Sequence, residues 1–165
     1  MNKIKKEKGY LIYFDVLGYK QILKNKDTKS LEKLKTLLET LSNYSQLKML
    51  TLISDIKEDE FFSFCFSDNF VIGYVTESLN CLTLMRVCGL ATLIQGYCIK
   101  KGFLIRGSIV YGDIERNKNL IFGTTIVQAY DLENNHNEPS FVLGDNLQKI
   151  YEKHNIWKSE ILNPF

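Results

Sequence analysis

Two aspartates lie where apolar segments of the sequence give way to turn-forming residues. Asp15 falls near the end of the apolar run 9–17 (GYLIYFDVL), and Asp68 lies between the two apolar runs of segment 61–75 (FFSFCFSDNFVIGYV). An acid within an apolar strand costs free energy unless it is paired, bound to a metal or near solvent. Two carboxylates that meet triphosphate oxygens would form a hard-cation site suited to Mg²⁺ or Mn²⁺. Asp68 also has a structural explanation, because turns select Asp without any function.

The residues after the first aspartate predict a phosphate contact. Gly18 ends the strand, and residues 19–24 can begin a helix. The amides of Leu17, Gly18 and Tyr19 would then open a helix next to the carboxylates. A helix N-terminus that follows a glycine is a ready cradle for phosphate.

Strand and helix patterns follow one another along the chain in an order typical of an α+β sandwich. We expect helices over one face of a mostly antiparallel, ferredoxin-like sheet, with the first strand beside the hairpin so that both aspartates converge at one sheet edge. The expected strands are 9–17, the hairpin 61–75, 103–112 and 139–144; the expected helices are 19–24, a leucine-spaced helix from 31 to 41, 79–99, 124–134 and 145–154.

Shorter signals set the expected boundaries. Asp27, Thr28 or Ser30 can cap the leucine-spaced helix, and Ser78 can cap the helix at 79–99. Residues 100–102 form a helix-ending signal, residues 53–60 a polar connection and residues 113–119 a turn or arm.

Composition narrows the class of protein. The 165 residues fit one domain, residues 1–165. A net charge of +2 is too weak to indicate nucleic acid as the main partner. The four cysteines form no Cys-x-x-Cys pair and are expected to be buried free thiols in a reducing compartment, and the two histidines argue against zinc. The apolar segment 79–99 carries Arg86, so we interpret it as a buried helix of a cytoplasmic protein with no membrane contact.

Five segments resemble, in order, the catalytic domains of class III nucleotide cyclases. The resemblance covers about residues 9 to 154. The segments are YFDVLGY at 13–19, similar to Phe-x-Asp-Ile-x-Gly-Phe; SDNFVIG at 67–73, similar to the hairpin with the second metal-binding Asp; RGSIVYG at 106–112, similar to Arg-x-Gly-Ile-x-x-Gly; GTTIVQAYDLE at 123–133, similar to Gly-x-Thr-Val-Asn-x-Ala-x-Arg-x-Glu; and FVLG at 141–144.

The resemblance implies a reaction and a set of site residues. The reaction would convert a nucleoside triphosphate to a 3′,5′-cyclic nucleotide and pyrophosphate with two Mg²⁺ or Mn²⁺ ions. Asp15, Asp68 and the carbonyl of Val16 would hold the metals. The family builds its site between two subunits, so a homodimer is implied, with the helix around Thr124 supplied by the partner.

Four positions depart from the family's pattern. The base-reading residues fall on Phe64 and Thr124, the transition-state Asn falls on Val127 and its Arg falls on Asp131. These departures leave three hypotheses open: a pyrimidine cyclase that uses UTP or CTP, a purine cyclase, and a module that binds or dimerises without turnover. Of these, the chain most resembles the bacterial pyrimidine cyclases of anti-phage signalling systems.

Other residues complete the predicted site. In the pyrimidine cyclase hypothesis Arg106 would replace part of the missing charge on the transition-state phosphate, against the alternative of a surface or salt-bridged arginine. Phe64 would line the base pocket, against the simpler explanation of a core aromatic residue. Tyr130 and Glu133 are expected to be structural. A final hairpin of the family is missing or reduced to residues 156–165. A polymerase-type palm domain is a weaker alternative, since it needs a basic template groove.

Overall fold

The computed structural model of the protein describes residues 4–25, 27–42 and 60–154. The expected polar connection at 53–60, except for its last residue, and the expected remnant at 156–165 lie outside these residues. In chain order the elements are β1 (Lys5–Val16), α1 (Tyr19–Asn25), α2 (Thr28–Ser42), β2 (Phe61–Phe66), β3 (Asn69–Val75), α3 (Cys81–Lys101), β4 (Ile105–Arg116), β5 (Ile121–Phe122), α4 (Thr124–Asn134), β6 (Phe141–Leu143) and α5 (Asp145–His154).

The strands form one mixed sheet with β1 near its centre. The order across the sheet is β2-β3-β1-β4-β5, and all of these pairs are antiparallel, while β6 joins β4 in parallel. The prediction of a mostly antiparallel α+β sheet with the hairpin beside the first strand is confirmed.

One face of the sheet carries the larger hydrophobic core. Alternate residues of β1 point to this face because side chains alternate along a strand. They pack against leucines of α2 and against the long helix α3, with α1 and α5 at the margin. The buried β1 members are Tyr10, Ile12, Phe14 and Val16.

The opposite face has a smaller core beneath a single helix. Leu11 and Tyr13 of β1 and Val110 of β4 pack there with Ala129 of α4. Four of the five described helices therefore share the first face, and α4 alone covers part of the second. Asp15 belongs to this second face, since it follows Leu11 and Tyr13 at alternate positions.

Helix α3 is the one described helix that is long and apolar enough to cross a membrane. Seven of its side chains are nevertheless buried within the protein. Packing on the sheet accounts for this buried set, whereas Leu82, Met85, Leu93 and Ile99 of the same helix are exposed.

Several predicted boundaries needed correction. Asn80, not Ser78, caps α3, since its side chain accepts a hydrogen bond from the Thr83 amide. Strand β4 extends to Arg116, where a turn or arm was expected, because its last four residues pair with the first four of β1. The short strand β5 was not predicted. Of the expected buried thiols, Cys98 is buried but Cys65 is exposed, and all four cysteines are free.

Gly107 allows β4 to approach its neighbours closely. A Cβ atom at this position would lie within 3.0 Å of the Tyr13 carbonyl oxygen and the Phe141 ring. The Tyr13 backbone and the half-buried Phe141 ring cannot give way cheaply, so the position requires glycine. In contrast, a Cβ atom on Gly89 of α3 would meet no atom within 4 Å.

We expect these two glycines to respond oppositely to alanine. Gly107→Ala should lower the free energy of unfolding by about 1–3 kcal/mol, because it overpacks the centre of the sheet. Gly89→Ala should raise it by about 1 kcal/mol, because alanine is the better helix former. Urea unfolding of both variants measures the difference. Equal effects in the two variants would contradict the close packing around β4.

Candidate active site at the end of the sheet

The strand register brings the two aspartates to the same end of the sheet. Asp15 lies opposite Asn69 of β3, the residue that directly follows Asp68. The backbone amide of Val16 donates a hydrogen bond to the Asp68 carbonyl oxygen at 3.2 Å. The β2–β3 turn is thus attached to the end of β1. The strand pairing therefore brings the backbones of Asp15 and Asp68 together, and the shared divalent cations stay a prediction.

Only one of the two carboxylate oxygens of Asp15 contacts a positively charged side chain. Arg106 lies directly opposite it in the β1–β4 ladder, and Arg106 Nη2 is 3.4 Å from Asp15 Oδ2. The other carboxylate oxygen, Oδ1, is buried and has no hydrogen-bond partner. A buried unpartnered oxygen is costly, which makes it the natural position for a ligand that supplies positive charge.

A third acid completes the ion-pair cluster. Arg106 Nε donates to Glu133 Oε1 at 2.5 Å, and the Glu133 side chain is only 2% exposed. Arg106 thereby joins the strand segment 106–112 to the helix segment 123–133. These two segments were identified separately in the sequence.

Burial governs the ionisation of this cluster. It raises the pKa of Asp15, against the opposing effect of Arg106, and the charge of Asp68 raises it further. Burial also raises the pKa of Glu133, and the nearby Asp15 charge adds to the increase. Two carboxylates around one guanidinium leave the cluster with an excess negative charge when both are ionised, which favours a proton or a metal cation.

Glu133 is the site residue whose importance the sequence interpretation missed. It was expected to be structural, but it is a buried charge that directly contacts Arg106. The signal was available, since Thr125, Ala129 and Glu133 recur every four residues and are the buried side of α4. An acid on the buried side of an amphipathic helix needs a partner.

The three residues predicted to contact phosphate lie next to Asp15, but the amide of one of them is already hydrogen-bonded within the protein. The Leu17 amide donates to the Leu104 carbonyl oxygen at 2.9 Å, so it serves the backbone rather than an approaching anion. Gly18 adopts a φ of +78°, and α1 begins at Tyr19. A phosphate contact by the amides of Gly18 and Tyr19 stays a prediction.

The two predicted base-reading residues, Phe64 and Thr124, lie at different distances from Asp15. Phe64 lies on β2, packed at the edge of the second core with its ring 5.8 Å from that of Phe62. Thr124 opens α4 at the end remote from Asp15. Glu133 is nine residues further along the helix, so about 13 Å separates the two along its axis. The structure brings Phe64, but not Thr124, to the Asp15 side of the same face.

Three positions of α4 that differ from the family's pattern face away from the sheet of their own chain. Thr124, Val127 and Asp131 are exposed, and their spacing puts them opposite the buried residues of this helix. Within one chain they cannot complete a site around Asp15.

The donor set around Asp15 and Asp68 fits a hard divalent cation. Both groups are carboxylates, and one of their oxygens is buried without a partner. No cluster of three or more His, Cys, Asp or Glu side chains arranged for a metal occurs in the described part of the chain. Remaining ligands would therefore come from backbone carbonyls, such as that of Val16, from water and from substrate phosphates.

Several solved structures with the same fold are described as nucleotide cyclase domains. The non-canonical dimeric guanylyl cyclase domain of the RhoGC fusion protein from the aquatic fungus Blastocladiella emersonii superposes with a TM-score of 0.66 at 14% identity, over 93% of this chain and 88% of that chain. The adenylate/guanylate cyclase/hydrolase from Silicibacter pomeroyi gives 0.64 at 16% identity, over 92% and 84%.

A third match has a different description. The class III adenylyl cyclase-like ATP-binding protein from Pseudomonas aeruginosa gives a TM-score of 0.60 at 11% identity, over 89% of this chain and 35% of that chain. No family model matches the sequence, and no curated protein does. At these identities the shared property is the fold, which is that of class III cyclase catalytic domains.

The raised carboxyl pKa values predict how stability depends on pH. A carboxyl whose folded pKa lies above its unfolded value stabilises the fold at low pH, and this contribution is lost as pH rises through the folded value. We expect Glu133→Gln to remove part of this decrease in stability at higher pH, because glutamine does not ionise. Without divalent cations, the variant's stability minus that of the wild type should increase as pH rises above 4.5, the ordinary Glu value.

Urea unfolding in EDTA across this pH range measures the effect. Glu138→Gln removes the same charge from an exposed loop and is the matched control. A pH-independent difference for Glu133→Gln would show that the Glu133 carboxyl is not destabilised by its surroundings.

Proposed function

We propose that this chain is a nucleotide cyclase that converts a nucleoside triphosphate to a 3′,5′-cyclic nucleotide and pyrophosphate. The observation that carries the proposal is the buried, unpartnered Oδ1 of Asp15 beside the Asp68 turn. The fold shared with cyclase domains supports the choice of reaction.

Asp15 and Asp68 would hold two Mg²⁺ or Mn²⁺ ions, with the Val16 carbonyl as a further ligand. Such ions, when bound, polarise the α-phosphate and lower the pKa of the attacking 3′-hydroxyl. The Asp15 and Arg106 side chains are only 19% exposed and Glu133 only 2%, and this burial limits water and thereby strengthens electrostatic contacts. Glu133 holds Arg106 in place through its Nε, while Asp15 contacts Nη2 of the same guanidinium.

Arg106 is proposed to contact the phosphate charge that develops in the reaction. Its two ion pairs use two of the five guanidinium N–H donors, so it can bind a phosphate oxygen without leaving Glu133. Ligands that bring positive charge to Asp15 would weaken its 3.4 Å contact with Arg106, which is the longer of the two pairs.

The residues at the two base-reading positions favour a substrate with a pyrimidine base. The position that would carry a base-reading lysine holds Phe64, which offers a stacking surface and no hydrogen-bond donor. Thr124, at the other base-reading position, is a short side chain. UTP or CTP is therefore proposed as the substrate, with cUMP or cCMP as the product. The anti-phage signalling role of the pyrimidine cyclases that the sequence resembles is proposed with it, in the cytoplasm.

A catalytically inactive binding module is the second candidate. The exposed Val127 stands where the family has its transition-state Asn, and it cannot donate a hydrogen bond. The Pseudomonas aeruginosa neighbour is itself described as a cyclase-like ATP-binding protein.

A homodimer with shared active sites is part of the proposal. Thr124, Val127 and Asp131 point away from their own chain's acids, so a second copy is needed to bring α4 to a metal pair. Exposed apolar side chains on the Asp15 face support burial by a partner, among them Phe66 at 84% and Tyr130 at 49% exposure. One neighbour is described as dimeric.

Product identification tests the proposed reaction. Purified protein incubated with Mn²⁺ and all four NTPs in competition should yield a cyclic pyrimidine nucleotide, identified by mass spectrometry. Asp68→Asn, which keeps the side-chain size but loses the charge, should lower the rate by 100-fold or more, at about the upper end of losses seen when metal-site residues are altered. NTP binding without any cyclic product would favour the inactive module, and a purine product would favour the purine cyclase.

Mixing two disabled variants tests the shared site. Asp68→Asn disables the metal side, and Thr124→Arg blocks the helix side. After exchange of subunits in an equal mixture, half of the dimers are mixed and each has one intact site, so activity should recover to about a quarter of the wild-type value. Each variant alone is the control. No recovery, with mixed dimers shown by native mass spectrometry, would place the whole site within one chain.

A further inference from the structure

A phenol on β1 reaches the turn that carries Asp68. The Tyr13 hydroxyl donates a hydrogen bond to Asn69 Oδ1 at 2.6 Å. On its other side the Asn69 amide nitrogen, Nδ2, lies 3.4 Å from Asp68 Oδ1. Tyr13 is 7% exposed, so this chain of contacts begins inside the protein and ends at a carboxylate in a turn.

The direction of these hydrogen bonds decides how the amide is oriented. Because the phenol donates, the oxygen of the Asn69 amide must face Tyr13, and the NH₂ group must face Asp68. A tyrosine hydroxyl, with its ordinary pKa of about 10, keeps its proton at neutral pH and can therefore donate. Without the hydroxyl, the amide could turn its oxygen toward the carboxylate, which would repel it.

The Tyr13 ring is itself fixed from the other side. The ring of Tyr130, on α4, meets it edge to face with centroids 6.0 Å apart. Tyr13 also lies two residues before Asp15 on the same strand face. The sheet and α4 thus determine the position of a hydroxyl that the β2–β3 turn uses.

We propose that Tyr13 is a positioning residue for Asp68 and acts through the Asn69 amide. Turn residues have more freedom than strand residues, and Ser67, before Asp68, already adopts a φ of 60°. The relay fixes the carboxylate of Asp68 in the orientation in which it meets a divalent cation next to Asp15. This inference rests on the proposed function in one respect, that Asp68 is a metal ligand.

Direct metal binding tests the relay without any turnover. Free Mn²⁺ is followed by its EPR signal during titration of the full chain in the absence of nucleotide. Tyr13→Phe removes only the hydroxyl, and we expect the dissociation constant for Mn²⁺ to rise about tenfold, as for other outer-shell partners of metal ligands. Tyr111→Phe is the matched control, because it removes a hydroxyl bonded to the Thr76 carbonyl oxygen away from the Asp68 turn, and it should leave the constant unchanged.

A double-mutant cycle tests the route through the amide. If Tyr13 acts through Asn69, Tyr13→Phe should cause no further loss of Mn²⁺ affinity in an Asn69→Ala background. Thermal unfolding of each variant verifies that the fold is retained. A second full loss in that background would overturn the relay, as would an unchanged constant in Tyr13→Phe or a wild type that binds no Mn²⁺.

The Mn²⁺ dependence of turnover gives a second readout. A residue that only orients a metal ligand should slow Tyr13→Phe at limiting Mn²⁺ and leave a rate close to the wild type at saturating Mn²⁺. A rate that stays low at saturation would overturn the positioning role. A wild type that forms no cyclic product would refute the proposed function alone, since the EPR comparison would still decide the inference.

Discussion

The antiparallel register of β1 with its two neighbours is the constraint on which the site depends. It places Asn69 on one side of Asp15 and Arg106 on the other, at a single end of the sheet. Because side chains alternate along strands, a shift of one residue would turn Asp15 toward the large core and separate it from Arg106. The buried aromatic and aliphatic residues of β1 resist that shift, since each would move to the wrong face.

The charge cluster is held together by the same register. A guanidinium between two acids, of which Glu133 is almost fully buried, is stable only if every partner keeps its place. Helix α4 is attached to the sheet at this cluster and by the hydrogen bond from Ser108 Oγ to the Ala129 carbonyl oxygen. Stability and function are therefore opposed at Asp15, where an unpartnered oxygen weakens the fold and makes the site suitable for a cation.

The two faces of the sheet differ in helical cover and in the residues that they carry. One face is covered by four helices and provides most of the hydrophobic stabilisation. Of the described helices, α4 alone covers part of the other face, where Asp15, Arg106 and Glu133 meet. The candidate site therefore lies on the face with less helical cover among the described residues.

The sequence by itself determined the order of elements apart from β5, and the unusual position of Asp15, because these follow from local periodicity and from the cost of an acid in an apolar strand. It also placed Asp68 in a hairpin turn. It did not reveal that Glu133 pairs with Arg106, that Tyr13 reaches Asn69, or that the Leu17 amide is already bonded. Those contacts join residues distant in the chain, and only the packing of α4 and the strand pairing decide which side chains meet. The direction in which Thr124 faces is likewise a consequence of how α4 lies on the sheet.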